Sequence, residues 1–330
     1  MKAVGQQSPL GYFAVLFLVN LMWAFQFSGA KIATERLGPI TVTLIPLARS
    51  TLLFMPFALV DSFKRKQSEA VDIKASVWGF IAAGTLGVTA AQLGLTSGVQ
   101  RSLASNASVL TLTIPVMTAV LAALLLGERM TRLRWVSFVL ALVGVLMVSD
   151  IKWGSVQVFE SSYLLGNLLI LVGCFGSAFY NTYSKKLLRV FSPVEVLFYS
   201  FLVTDVVLVA LMIYTGVPHW SQLAGLGLKV WLSLGGIAFL SLTLAMVLFF
   251  WVIKRIDVTQ ASLSVYLLPV FGVLISTVAV HEKPTWRLLA GGALVCLGTF
   301  LVTTYEERAR IAQESAKSKA PVAMEAKVNS

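Results

Sequence analysis

Ten stretches of about twenty apolar residues constrain this chain more than any other feature. The hydrocarbon core of a bilayer is roughly 30 Å thick, and a helix needs about 20 residues to cross it. Such stretches cover most of the 330 residues. Barrel strands would instead alternate apolar and polar residues over about ten positions. We therefore predict an all-α integral membrane protein with ten transmembrane helices. The predicted spans are 11–31, 40–60, 76–97, 103–126, 133–149, 163–184, 193–214, 229–252, 258–280 and 286–304.

The basic residues alternate between the loops and predict an orientation. With the N-terminus in the cytoplasm, 18 Lys and Arg residues fall on the inside and seven on the outside. Because short cytoplasmic loops are enriched in Lys and Arg, both termini are predicted to be cytoplasmic. This placement explains the net charge of +11 without a nucleic-acid partner. The loops leave no room for a folded extramembrane domain, and the polar segment 305–330 is predicted to be a disordered cytoplasmic tail.

The sequence offers no signature of an enzyme or a cofactor site. Cys174 and Cys296 both fall inside predicted spans, so neither a disulfide framework nor a CxxC motif is present. There is no HExxH motif and no pair of intramembrane aspartates. An intramembrane enzyme would need a nucleophile and a base, or metal ligands, within reach of one another. We therefore predict a protein that is not an enzyme and needs no cofactor.

An internal repeat relates the two halves of the chain. A shift of 154 residues, applied without gaps between positions 101 and 149, gives ten identities in 49 positions. The matched residues include Pro115 with Pro269 and Glu128 with Glu282. Spans 1 to 5 thus correspond to spans 6 to 10. Since five is odd, the second half enters the bilayer from the opposite side, which gives an inverted-topology repeat with a site between the halves.

The stretch IPVMTAVLAALLLGERMTRLRWVSFVLALVGVLMV, residues 114–148, resembles the closing third of an EamA-like domain of the drug/metabolite transporter superfamily. The partner stretch in the second half is similar, although His281 stands at the counterpart of Gly127. The resemblance covers two five-helix repeats, 11–149 and 163–304. It implies ten helices, a cytoplasmic N-terminus and transport of small metabolites, commonly amino acids or related compounds and often outward. We accordingly expect a monomer in a bacterial inner membrane.

Two charged residues lie deep within the predicted spans. Arg49 follows Pro39 by ten residues and Asp205 follows Pro193 by twelve, which places them roughly 15 and 18 Å along their helices. A charge at the bilayer centre is costly, so each needs a partner or water. They could form a structural ion pair. Alternatively, Arg49 receives a substrate carboxylate and Asp205 an amine or a proton.

Further polar and aromatic residues could line the central cavity, although hydrogen bonding between helices is an alternative role for each of them. These candidates are Asn20, Trp23, Gln92, Tyr180, Asn181 and Tyr266. Gly84, Gly87, Gly94 and Gly98 in span 3 are predicted to permit close helix packing.

Two pairs of repeat-related residues are candidates for moving parts. Pro115 and Pro269 remove a backbone donor within spans 4 and 9 and predict kinks or hinges. Glu128 and Glu282 end the same spans at opposite faces, where they could order the loops or act as gates. Together these features predict a secondary transporter with alternating access, with protons as a candidate coupling ion. The alternatives are a passive channel, which could share the same symmetric pore, and an intramembrane enzyme.

Overall fold

The computed structural model describes residues 9–34, 36–66, 73–101, 110–111, 113–148, 164–216, 223, 225–268, 270–271 and 286–305. This part of the chain is helical, with short turns and no β-strand, which confirms the predicted all-α class. Pro269, Glu282 and the predicted tail after Tyr305 lie outside the described residues.

Each described helix overlaps a predicted span, and several extend three or more residues beyond it; we number them in chain order. They are α1, Pro9–Thr34; α2, Pro39–Lys66; α3, made of Ile73–Ala82, Ala83–Thr89 and Ala90–Gln100; α4, Thr113–Leu126; α5, Arg132–Val148; α6, Leu164–Leu187; α7, Pro193–Thr215; α8, made of Leu228–Gly236, Ile237–Ala245 and Met246–Ile253; α9, which begins with Val258–Ser262 and Leu263–Tyr266; and α10, made of Trp286–Phe300 and Leu301–Tyr305.

One helix end differs clearly from the prediction. Helix α2 continues six residues beyond 60, as far as Lys66. Its last turns are held by α7, because Ser62 Oγ and Arg65 Nε both donate hydrogen bonds to Glu195 Oε1, at 2.8 and 3.2 Å. Hydropathy alone ends the span where charges begin, whereas this polar contact extends the helix.

Within the described residues, five helices are long and apolar enough to cross a membrane. They are Pro39–Arg65, Ser76–Gly98, Leu164–Leu187, Pro193–Thr215 and Leu228–Ile253. Large apolar side chains on the outside of the bundle, such as Leu124 and Ile213, are exposed. In a soluble protein so much exposed apolar surface would be a liability, whereas lipid accommodates it.

The helices pack in pairs that obey the predicted repeat. Helix α3 packs on α6, and its counterpart α8 packs on α1. Helix α2 packs on its own counterpart α7, and α5 packs on α10. Glycine makes the α3–α6 contact close: a Cβ atom at Gly94 would lie 2.8 Å from the backbone nitrogen of Gly173. The predicted role of the span 3 glycines in close packing is therefore confirmed at this contact.

Helices α3 and α8 both contain a π-helical segment, and the two segments begin 154 residues apart, at Ala83 and Ile237. The wider π turn disturbs the regular hydrogen bonds of the backbone, and Ser or Thr hydroxyls can satisfy carbonyls that this frees. Ser50 Oγ on α2 donates to the carbonyl of Ala238 at 2.9 Å. Thr204 Oγ1 on α7 donates to the carbonyl of Gly84, also at 2.9 Å. Each of these bonds maps onto the other by the 154-residue shift.

The basic residues gather at one end of the bundle, which we call the basic face. It contains the start of α1 and the ends of α2, α6 and α8. Tyr12 packs against Trp251 with ring centroids 5.7 Å apart, and Arg65 lies 4.2 Å from the ring centroid of Phe191. We call the other end, where α2 and α8 begin, the opposite face.

Candidate functional site

A small cavity lined by four polar and five apolar residues lies between α1, α2, α3 and α8, in the half of the bundle nearer the opposite face. Gln26 Nε2 donates to Gln92 Oε1 at 3.0 Å, and Thr43 Oγ1 lies 3.5 Å from Thr96 Oγ1. Pro46 completes the α2 wall. The volume is about 20 Å³, enough for about one water molecule. A metabolite could enter only after the four helices move apart.

The equivalent position in the second half of the chain is closed by larger side chains. The shift of 154 residues replaces Gln26 by Tyr180, Gln92 by Met246 and Thr96 by Phe250. The rings of Tyr180 and Phe250 have centroids 5.3 Å apart, and the Tyr180 hydroxyl lies 2.7 Å from Ser200 Oγ. The structure therefore leaves a small void beside polar side chains at one position and fills the equivalent position with aromatic side chains.

Asp205 lies at the interface of α7 with α2. Its Oδ2 accepts a hydrogen bond from Thr51 Oγ1 at 2.6 Å, while its Oδ1 is buried and has no hydrogen-bond partner among the described residues. Thr51 and Asp205 are themselves 154 residues apart. The contact therefore joins equivalent positions of the two halves, where the pseudo-twofold axis passes between α2 and α7.

Arg49 does not pair with Asp205 in this structure. Its guanidinium lies 5.2 Å from the ring centroid of Trp231 on α8, and its side chain is exposed. The neighbouring exposed residues on the same side of α2 are Leu52 and Leu53, so this side of the helix faces outward. Within the part of the chain that the structure describes, no carboxylate lies within ion-pair distance of Arg49. A stacked aromatic ring is a favourable partner for such a cation.

The remaining candidates divide into one cavity residue and several packing residues. Gln92 lines the cavity, as described above. Asn20 Nδ2 instead donates to Ser264 Oγ at 2.9 Å, and Trp23 Nε1 donates to the carbonyl of Ser241 at 3.3 Å. These bonds connect α1 to α9 and α8, which is the alternative role stated above. Tyr180, Asn181, Tyr266 and Pro115 are buried.

Glu128 closes the basic face between α4, α6 and α9. Its carboxylate accepts hydrogen bonds from the backbone N–H groups of Val258 and Thr259 at 2.9 and 3.1 Å. The Lys185 ammonium lies 3.3 Å from the same carboxylate. Arg134, which forms an ion pair with Asp257, adds a second cation to this cluster. A carboxylate at a helix N-terminus satisfies free backbone donors and the helix dipole together.

A second polar contact at the basic face joins α2 to the start of α7. Ser192 and Glu195 form a capping box, and Arg65 Nη2 lies 3.1 Å from Glu195 Oε1. Nearby, Lys254 donates to the carbonyl of Phe191. Burial lowers the pKa of Lys254, and the neighbouring Arg255 lowers it further, while Glu195 opposes both effects. Two separate polar clusters thus connect neighbouring helices at the basic face.

The candidates chosen from the sequence do not include Gln26, Thr43, Thr96 or Thr51. The repeat contains a signal that identifies Thr51, because the 154-residue shift places it opposite the intramembrane acid Asp205. The cavity residues lack such a signal, since their counterparts are apolar or aromatic. Cys174 and Cys296 form no disulfide with each other.

The apolar helices, the two related halves and the small cavity between them define a multi-pass membrane protein with the architecture of a transporter. The profile of the EamA-like transporter family matches the chain twice, at residues 10–150 and 164–304. The chain therefore belongs to the EamA-like transporter family.

Three relatives and one solved structure illustrate this membership. A protein of Archaeoglobus fulgidus named "Uncharacterized transporter" is 25% identical over 87% of this chain and 97% of its own. "Uncharacterized transporter YoaV" of Bacillus subtilis is 25% identical over 88% and 96%. The "Probable terminal-alkyne amino-acid exporter" of Streptantibioticus cattleyicolor is 25% identical over 87% and 91%. A solved structure described as "Crystal structure of protein" shares the fold, with a TM-score of 0.72 at 19% identity, over 90% of this chain and 98% of that one.

Proposed function

We propose that the protein is a secondary transporter that carries small metabolites across a bacterial inner membrane by alternating access. In this proposal ten helices cross the bilayer as a 5+5 inverted repeat, 11–149 and 163–304. Both termini are cytoplasmic, so the basic face is cytoplasmic and the opposite face is external. The observation that carries the proposal is the contrast between the cavity and its counterpart, because one position keeps a small void beside polar side chains while aromatic side chains fill the equivalent position.

The repeat supplies a way to exchange the two arrangements. Ser50 and Thr204 each bond a carbonyl in the π segment of the other half, so the halves hold each other through equivalent contacts. π segments inside helices occur frequently at functional sites. If the halves swap conformations, the second cavity opens towards the basic face while the first closes. Two packings of comparable energy are what a two-state carrier requires.

The substrate we favour is an amino acid or a related compound, moved outward. Gln26, Gln92, Thr43 and Thr96 offer neutral donors and acceptors that suit the polar groups of a small metabolite. Arg49 is the candidate for a substrate carboxylate, which a guanidinium can bind through two parallel hydrogen bonds. It faces outward against Trp231 in this arrangement, so that role requires the conformation in which the halves have moved. The name of the Streptantibioticus cattleyicolor relative also points to amino acids and to export.

The substrate can be identified by ligand-dependent stabilisation of the purified protein. Amino acids, sugars, nucleosides and cationic drugs are screened, since a ligand that binds the folded protein raises its apparent stability. Gln92→Ala should abolish the stabilisation given by an active compound. Gln100→Ala, at the exposed end of the same helix, should preserve it and serves as the control. If the compound stabilises both variants equally, the cavity is not its binding site.

Counterflow in proteoliposomes separates a carrier from the alternatives. A carrier loaded with unlabelled substrate accumulates labelled substrate transiently and saturates, whereas a channel does neither. The described residues contain no group of three metal-binding side chains, so they offer no metal centre to an intramembrane enzyme. Linear, non-saturating flux without counterflow would overturn the carrier in favour of the channel.

A further inference from the structure

The carboxylate of Asp205 occupies a position that has a strong physical consequence. It lies twelve residues into α7, about 18 Å from the start of the helix. Its single hydrogen bond is to Thr51, and its Oδ1 is buried without a partner among the described residues. An ionised carboxylate in apolar surroundings needs a cation or several donors to offset the loss of water.

No charged side chain of the described residues faces Asp205 from the helices packed against it. On α2, Arg49 is stacked on Trp231, and Asp61 and the basic residues after it lie ten or more positions beyond Thr51. On α3, the π segment contains no titratable residue, and Lys74 lies nine residues before the segment begins. On α8, Lys254 lies beyond the end of the helix, at the basic face.

The hydroxyl of Thr51 has more acceptors than hydrogens. It lies 3.0 Å from the carbonyl of Leu47 and 2.6 Å from Asp205 Oδ2, but it carries one proton. If Asp205 is ionised, the hydroxyl must abandon one acceptor. If Asp205 is protonated at Oδ2, the acid donates to Thr51, and Thr51 donates to Leu47. Counting hydrogen bonds therefore favours the neutral acid.

From this contact we infer that Asp205 is a proton-binding site that couples proton movement to transport, an inference that rests on the proposed function. Asp205 holds a proton while α2 and α7 are in contact. When the halves exchange conformations and water reaches the acid, its O–H bond breaks, the proton passes to water and a carboxylate remains. The reverse step binds a proton from the other side of the membrane.

Two features favour a proton over a metal cation at this site. Hard cations take about six oxygen ligands, whereas the described residues supply the carboxylate and one hydroxyl that is already engaged with Leu47. The acid also lies where the two halves meet, opposite its own repeat counterpart Thr51. The surroundings of a titratable group at that point would therefore change whichever face of the bundle opens.

Infrared spectroscopy of the purified protein tests the site directly, because a protonated carboxylic acid has a carbonyl band that a carboxylate lacks. At neutral pH the wild-type protein should show this band, and Asp205→Asn should lose it. Asp61→Asn removes an acid near the end of α2 and should keep the band. Thr51→Val removes the hydrogen-bond partner and should move the band without removing it, which keeps the test valid if Asp205→Asn does not fold. Absence of the band in the wild type, or its persistence in Asp205→Asn, would overturn the inference.

Transport measured with a mixture of radiolabelled amino acids separates the inference from the proposed function. If one proton exchanges for one substrate, a gradient of one pH unit should drive about tenfold accumulation. Asp61→Asn should retain this accumulation, and Asp205→Asn should not exceed the level without a gradient. Counterflow in the wild type without any response to pH would overturn the coupling and leave the transporter standing. A requirement for sodium, tested by replacing it with choline, would also overturn the proton site.

Discussion

Removal of the Glu128 carboxylate should lower the free energy of unfolding, and the structure allows us to calculate by how much. Glu128→Ala leaves the N–H groups of Val258 and Thr259 without their acceptor, and both residues are buried. Hydrogen bonds to charged groups contribute about 1.5–3 kcal/mol each. Lys185 keeps a partner, because it also donates to the carbonyl of Ile256 at 2.7 Å. Since the buried carboxylate no longer has to be desolvated, we take the lower values and expect a loss of about 3 kcal/mol.

Two measurements check this value. For a chain of this size 1 kcal/mol corresponds to roughly 2–4 °C, so Tm should fall by about 6 to 12 °C. If the loss opens the basic face, a Cys at the buried Ser184 should react with a soluble thiol reagent about a hundredfold faster, at 1.4 kcal/mol for each factor of ten. The labelling needs Cys174 and Cys296 replaced by Ala. Arg129→Gln, an exposed charge removal next to Glu128, should change either readout little. If Glu128→Ala behaves like this control, the calculation is refuted.

Three further predictions address packing, orientation and substrate binding. Gly94→Ala places a Cβ 2.8 Å from the backbone of α6 and should lower the free energy of unfolding by about 1–3 kcal/mol. Gly225→Ala, which has open space around the new Cβ, should leave it unchanged. Chemical or thermal unfolding measures both effects. In intact cells an impermeant thiol reagent should label a Cys introduced at Ser155 but not one introduced at Ser68. Labelling of both positions would contradict the inverted topology of the two halves. Arg49→Lys keeps the charge but loses the planar fork, so it should weaken counterflow of an anionic substrate while leaving Tm close to that of the wild type. Undiminished flux in Arg49→Ala would exclude the substrate role.

Hydropathy and the repeat predict the helices well because both depend on the chain's own pattern. Each described helix overlaps a predicted span. The shift of 154 residues also relates contacts that the sequence does not specify, such as the hydrogen bonds of Ser50 and Thr204. The end of α2 shows where the pattern fails. Charged residues after position 60 indicate a loop, yet Glu195 on another helix holds Ser62 and Arg65 in further helical turns. Such tertiary contacts are invisible to a local pattern.

The site was harder to predict because depth along a helix does not fix the direction of a side chain. Arg49 and Asp205 lie at similar depths on helices that pack together, which makes an ion pair plausible from the sequence. In the structure the two side chains leave α2 and α7 in different directions: Arg49 faces outward against Trp231, while Asp205 faces Thr51. An offset of two residues on one helix, from Arg49 to Thr51, turns the direction by about 200°.

The differences between the repeats carry as much information as their similarity. Perfect symmetry would give both faces the same cavity and the same tendency to open. Here Tyr180 and Phe250 fill the position equivalent to Gln26 and Thr96, so aromatic surface is buried towards the basic face. Towards the other face, the polar side chains of Gln26 and Gln92 lie beside the small cavity. Glu128 adds charged hydrogen bonds to the closed face. In the proposed alternating-access mechanism, the substitutions that break the repeat would therefore favour the arrangement in which the basic face is closed.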